Sequence, residues 1–399
     1  MPASPSTARA INDRLALHLL QREGPLTAGQ LKQLTGLSRP TVADLVERLT
    51  ASGLIEVAGE SGEQRRGPNA KLYGIVAGRA YLAALDVRTE GVAVLVSDLL
   101  GRVLAEGSVP IDDHSGTGPA VEQAVSLVER AVKEAGADRL HTVGIGAPGL
   151  IDPAGGELRD STGLPEWHRR LMAALQDTFP EARVGVENET NLAALAEQRD
   201  GAARDRDTFV LLWLGLGIGA AVVLDGTLRR GVSGGAGEIG FMPVPGTAGL
   251  PSATDCDGGF HSVAGAAAVT ALAAEHGVTA PSTGPEPHAA TLVREAVRRS
   301  ASGHDPVADR FLDALADRVV LGAAAVVSVL DPGCLVLAGE IGRAGADALA
   351  DRVRHRLARM SPLATEVRPS TLGGGAVLRG ALLTARDRAQ DDLFAPPER

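Results

Sequence analysis

Residues 27–53 read TAGQLKQLTGLSRPTVADLVERLTASG. The pattern predicts two helices joined by a tight turn. Leu31 and Leu34 give the first helix an apolar face, with Leu26 just ahead of it. Gly36 stands at the turn, where a positive φ is often required. Ser38 is placed as N-cap of the second helix. Pro40 falls in that helix's first turn, where no amide hydrogen bond is lost. Val42, Leu45, Val46 and Leu49 then recur at i, i+3, i+4 and i+7, the stripe of a half-buried helix. The stripe turns Arg39, Thr41, Asp44 and Arg48 outward. A helix presenting such residues near its start fits a DNA major groove. An ordinary helical hairpin shares this pattern, so the flanks decide.

Residues 8–22 read as a preceding helix, with Ile11, Leu15 and Leu19 every four residues. LIEV at 54–57 reads as a strand, GESGEQRRGPN at 59–69 as a charged loop, and 71–75 as the returning strand. Helix, helix-turn-helix and two-stranded flap make a winged helix-turn-helix over residues 1–75. Arg65 and Arg66 sit in the wing beside Gly67 and Pro68, placed for a minor groove or phosphates. DNA contact is expected at Thr27, Ser38, Arg39, Pro40, Thr41, Asp44, Arg48, Arg65 and Arg66. Arg48, Arg65 and Arg66 are assigned to phosphates.

A chain of 399 residues exceeds what one core organises. Net charge is −10, but it is unevenly placed. Residues 1–74 carry nine Lys/Arg against seven Asp/Glu, and the remainder carries 30 against 42. An acidic body with a small basic module suits a regulator rather than a general DNA-coating protein. The two cysteines, Cys256 and Cys334, offer no disulfide framework and fit a reducing cytoplasm. No apolar run reaches the roughly 18 residues of a membrane span, and the N-terminus lacks a signal-peptide core. A cytoplasmic protein, on the nucleoid when bound to DNA, is expected.

From residue 79 the pattern becomes α/β. Strands are expected at 81–87, 91–97 and 102–107, a helix at 120–135, and a strand at 140–147. Helix 167–179, strand 182–186 and helix 188–199 follow. A second series opens at Thr208, with strands punctuated by Gly215, Gly217 and Gly219. Helices are expected at 262–276, 288–300 and 305–330. Strand 334–338, helix 344–360, strand 365–369 and a closing helix 376–390 complete the chain. Two repeated α/β halves with a cleft between them are the expected architecture.

Four fragments then gain meaning by their order: VGIGAPGLID at 143–152, VENETNLAALAE at 186–197, LGLGIGAAVVLDGTLRRGVSGGAGEIGFMPV at 214–244, and LDPGCLVLAGEIGRAG at 330–345. Behind a winged helix, this set resembles the ROK family (repressors, open reading frames, sugar kinases) in its regulator branch. The resemblance implies a two-lobed actin-like ATPase fold. Lobe I would hold residues 76–188 plus 375–399 and lobe II residues 189–374, with an effector cleft between them. It implies a transcriptional regulator, a repressor of carbohydrate genes. Its partners would be a double-stranded operator and a sugar or sugar-phosphate effector. A symmetric operator asks for a homodimer or dimer of dimers, and no membrane partner is implied.

The resemblance also sets an enzyme test. The family's kinases carry Asp-x-Gly-Gly-Thr after the first lobe strand, where backbone amides approach ATP phosphates. This chain reads Asp86-Val87-Arg88-Thr89-Glu90. Both glycines are replaced, and Glu90 adds negative charge, so neither ATP binding nor kinase activity is expected. The family's Asn-Asp base pair reads Asn188-Glu189 here, with the carboxylate displaced by a methylene. Asn188 also suits a helix N-cap. By the same resemblance, effector contacts fall on Asn188, Glu189, Glu238, His261 and Gly163. Phe241 stands where the family has His. The family's zinc positions read Phe241, Ser252, Thr254 and Gly259, so no zinc is expected. Two other readings stay open: a sugar kinase fused to a DNA-binding module, and a ligand-independent DNA-binding dimer with a degenerate sensor.

Overall fold

A computed structural model of the chain describes residues 5–60, 70–112, 114–159, 164–247, 249–252, 258–281, 286–303 and 305–395. Arg65, Arg66, Gly163, Thr254 and Cys256 lie outside the described residues.

The N-terminal unit comprises α1 (Pro5–Glu23), β1 (Leu26–Thr27), α2 (Ala28–Thr35), α3 (Arg39–Ala51), β2 (Ile55–Glu60) and β3 (Lys71–Ile75). Its small sheet has the order β1-β3-β2 and is antiparallel. Val42, Leu45, Val46 and Leu49 are all buried, so the expected stripe of α3 forms the core of this unit. The stripe expected on α1 is different. Ala16, Leu17, Leu19 and Leu20 are buried, whereas Ile11 is 58% and Leu15 41% exposed. A strict four-residue repeat drifts around a helix of 3.6 residues per turn, and small Ala16 marks the true face. Leu34 likewise faces out, leaving Leu31 as the buried anchor of α2.

The first lobe contains β4 (Tyr81–Arg88), β5 (Gly91–Asp98), β6 (Val103–Pro110), α4 (Thr117–Glu134), β7 (Thr142–Ala147), α5 (Glu166–Thr178) and β8 (Arg183–Asn188), followed by α6 (Glu189–Asp200), which packs on the last helix of the chain and touches both sheets. The second contains β9 (Phe209–Leu214), β10 (Ile218–Leu224), β11 (Thr227–Arg229), α7 (His261–Ala264), α8 (Ala266–Glu275), α9 (His288–Ala301), α10 (Pro306–Leu330), β12 (Cys334–Ala338), α11 (Gly339–Met360) and β13 (Glu366–Pro369). The chain ends in α12 (Ala376–Leu393). The two sheets repeat one topology: β6-β5-β4-β7-β8 and β11-β10-β9-β12-β13. In each, three antiparallel strands are extended by two parallel ones. The helix expected over 262–276 is divided at Gly265, whose backbone is extended. The helix expected from Ala344 starts at Gly339 and is interrupted at Ala346, with φ 42°.

α12 returns to the first lobe and packs on β4, β7 and α6. A Cβ at Gly380 of α12 would sit 2.0 Å from the Leu192 carbonyl oxygen of α6, so these helices meet backbone to backbone. One apolar core runs from Leu17 and Leu45 of the winged helix through Leu99 to Leu382 and Phe394 of α12. The winged helix is therefore docked on the first lobe. No helix among the described residues is long and apolar enough to cross a membrane.

Glu197 of α6 is fully buried, with no ion pair to a basic side chain among the described residues. Its carboxylate accepts hydrogen bonds from Ala202 N (2.6 Å), Ser370 Oγ (2.5 Å), Thr371 N (3.1 Å), Thr371 Oγ1 (3.3 Å) and Leu372 N (3.2 Å). Five donors converge on one acceptor group and bolt the segment entering α12 to α6. Glu197→Gln would turn two N–H bonds of the side chain toward these donors. We expect a loss of about 3 kcal/mol in urea unfolding; a variant as stable as the parent would contradict the bolt.

Candidate functional site

The helix-turn-helix is built by local chemistry. Thr27 Oγ1 accepts from Gln30 N (3.2 Å), and the Gln30 side chain accepts from Thr27 N (2.9 Å), a complete capping box. Thr27 is thus committed to starting α2. Gly36 takes φ 70° and caps α2. Ser38 Oγ accepts from Thr41 N (3.3 Å) and caps α3. Arg39, Pro40 and Asp44 are exposed, and Thr41 is half-buried. Arg48, expected at phosphates, is engaged within the unit in this structure. Its Nη2 donates to Asp13 Oδ1 (2.5 Å) and its Nε to Asp13 Oδ2 (3.3 Å), and it also pairs with Asp44. The hydrogen bond to Asp13 raises the guanidinium above its usual range. Arg48 clamps α3 to α1.

At the lobe junction, β4 delivers Asp86 and Arg88. Asp86 is buried, and its Oδ2 accepts from Arg88 Nε (3.0 Å) and Nη2 (2.8 Å). Its Oδ1 is buried with no hydrogen-bond partner among the described residues. Arg88 Nη1 donates to Glu340 Oε1 (3.3 Å), at the start of α11, and Nη2 reaches the Gly374 carbonyl (3.5 Å). One guanidinium therefore links the two lobes. The cavity beside it, lined by Arg88, Trp213, Glu340, Arg343 and Gly374, measures about 20 Å³. That is room for about one water molecule. His168 of α5 donates from Nε2 to the Arg88 carbonyl (3.3 Å), which fixes the hairpin. Burial pushes His168 down to about 4, so it is neutral.

Glu189 opens α6 and faces the same cluster. Burial raises its carboxyl to about 8, and Asp86 and Glu340 add to the rise while Arg88 opposes it. Asn188 is the N-cap: its Oδ1 accepts from Thr190 N (2.8 Å) and Asn191 N (3.3 Å). Its Nδ2 donates to the Gly149 carbonyl (3.0 Å). Only one N–H of this side chain is left for another partner. Glu187, not singled out by sequence reasoning, is buried, holds Asn188 N and Asn191 Nδ2 (3.0 Å each), and pairs with Arg230 (2.6 Å).

Glu238 is exposed at the end of a glycine-rich loop. His261 Nδ1 accepts from Ile218 N (3.3 Å), and burial lowers its pKa. The neutral ring therefore carries its proton on Nε2, as a donor. Among the described residues no hydrogen bond or ion pair joins Glu238 or His261 to the Asp86–Glu189–Glu340 cluster. The described residues also contain no group of three or more His, Cys, Asp or Glu suited to a metal ion. Cys334 is free and buried.

Two lobes of one repeated topology, meeting at an Asp-bearing hairpin and an Asn-capped helix, define a sugar-kinase-like sensor or enzyme fold carrying a winged helix. The chain belongs to the ROK family, whose profile matches residues 82–388. A MarR family profile matches residues 11–67. The xylose repressor of Bacillus subtilis is 26% identical over 253 residues, 61% of this chain and 62% of the repressor. The aligned segment thus spans about three fifths of that relative's length. A glucokinase of Thermotoga maritima is 33% identical over 214 residues, 51% of this chain and 65% of the kinase. In fold, the chain is similar to a ROK family transcriptional regulator described as a homolog of the E. coli MLC protein. The TM-score is 0.75 at 21% identity, covering 97% of this chain and 98% of the other.

The raised carboxyl of Glu189 has a measurable consequence. Between its ordinary value of 4.5 and about 8, the native state keeps a proton that the unfolded chain has lost. Stability therefore falls as pH rises through this window. Glu189→Gln should melt with the parent near pH 5 and above it near pH 9. Parallel melting curves across that range would exclude a proton-holding Glu189.

Proposed function

We propose that the chain is a DNA-binding transcriptional regulator, a repressor of carbohydrate genes, with a sugar-class effector bound between the lobes and no phosphotransfer activity. The observation that carries this reading is the exposed set Ser38, Arg39, Pro40 and Asp44 at the start of α3, presented by a winged helix whose core continues into lobe I. The repressor relatives support it. Two reading heads related by symmetry would meet an operator of two half-sites, which makes a homodimer the expected form. In the cleft, the protonated Glu189, the Glu238 carboxylate and the Nε2–H of His261 offer donors and acceptors for hydroxyls, beside the single free N–H of Asn188.

The glucokinase relative favours a second reading, a kinase. Against it stands the Arg88 side chain, which fills the place where that chemistry needs bare backbone, paired with Asp86 and Glu340. A polyphosphate there would have to break both pairs and face Glu90 as well.

Arg39→Ala should weaken operator binding by about 1–3 kcal/mol and random DNA far less. Equal losses on both would remove its base-reading role. In a thermal-shift series, one sugar should raise the melting temperature and ATP–magnesium should not. Transfer of the γ-phosphate to any sugar in the series would restore the kinase reading.

A further inference from the structure

A groove of about 740 Å³ lies where α1 meets α12 and the turn between β5 and β6. Arg22, Arg199, Arg379 and Arg386 line it. Its aspartates are already committed. Asp200 pairs with Arg379 (2.6 Å), Asp387 with Arg199 (2.8 Å), and Asp391 with Arg14. Arg22 is held by Glu23 (2.8 Å). Arg386 is the exception. Its side chain is only 14% exposed, and its nearest carboxylate, Asp387 Oδ1, is 3.7 Å away, beyond hydrogen-bond reach. Its Nε is buried without a partner, and its guanidinium makes no hydrogen bond to any described residue. Burial depresses its pKa; Asp387 and Asp200 oppose this, while Arg199 and Arg379 add to it.

A guanidinium withdrawn from water with no hydrogen-bonded partner is costly. Its planar fork matches two oxygens of a phosphate or carboxylate. Beside it the groove has an apolar wall, Leu15, Leu100 and Leu383. Leu15 and Leu100 keep 41% and 40% of their surface exposed. The turn carrying Leu100 is rigid: Asp98 Oδ1 accepts from Leu100 N and Arg102 N, both at 3.0 Å. The volume lies within the range of small-molecule sites. We propose that this groove is a second ligand site, separate from the interlobe cleft. It takes a small organic oxyanion, with the anionic group on Arg386 and the body against the leucines. One wall is α1, which also holds the reading helix through Asp13 and Arg48. Occupancy joins α12 to α1 and steadies the reading head.

The test uses the full chain with three probes: glucose 6-phosphate, citrate and inorganic phosphate. Hydrogen exchange by mass spectrometry is followed with each, and binding is measured by calorimetry. We expect at least one organic probe to slow exchange in residues 8–22 and 376–393. Slowing by the sugar phosphate alone names a phosphomonoester, and by citrate alone a polycarboxylate. Arg386→Gln should weaken that binding at least tenfold, and Arg386→Lys should restore part of it. The proposal fails if no probe slows exchange in those segments. It also fails if protection is confined to residues around 189 and 238, or if Arg386→Gln binds like the parent. Should the variants not fold, the exchange map of the parent chain decides alone.

Discussion

Between the lobes, one guanidinium answers to three carboxylates. Arg88 pairs with Asp86 on its own strand and Glu340 on the other lobe, and Glu189 faces the same charge. One positive charge cannot balance three negative ones in a half-buried place, so the least compensated carboxyl keeps its proton. That is Glu189, held up to about 8. The same arginine decides the shape of the junction. A glycine at 88 would leave a backbone concavity; the side chain fills it and bridges β4 to α11. His168, with no role in the sequence reading, fixes the Arg88 carbonyl from behind. A neutral histidine suits that task, because a charged ring would be buried beside Arg88.

Much of this was legible in the chain. Local rules placed the winged helix: the cap at Ser38, the turn at Gly36 and the stripe from Val42 to Leu49 need only nearest neighbours in sequence. The repeated strand series gave both sheets. What escaped depended on distant partners. Arg48 looks like a surface arginine until Asp13, 35 residues earlier, comes beside it. Asn188 was legible as a cap, but its bond to Gly149 was not. Glu197 ended a quoted motif with no sign that five donors from two segments would enclose it. Helix faces failed where small residues do the packing, as at Ala16. The wing arginines and Gly163 fall outside the described residues, so their expected contacts stand as sequence expectations.

Under the proposed function, the fold offers a mechanical route from the cleft to α3. Glu189 is the first residue of α6. α6 meets α12 at backbone distance, at Gly380 and Leu192. α12 holds α1 through Asp391 and Arg14, and through the edge contact of Phe394 with His18 at 6.0 Å. α1 holds α3 through Asp13 and Arg48. The joints are backbone packing, a ring contact and charged pairs, and the exposed Arg14–Asp391 pair is the most compliant of them. A shift of α6 reaches α3 chiefly through packed backbone and the shared apolar core. Spatial continuity alone does not make a signal; the route matters only if the lobe junction has two arrangements that effector and DNA favour differently. The Arg88 cluster is where such a pair of states would be set, because hydroxyls placed on Glu189 compete with the charges that close the lobes. Any coupling so produced is reciprocal, so the factor by which effector changes operator affinity is the factor by which operator changes effector affinity.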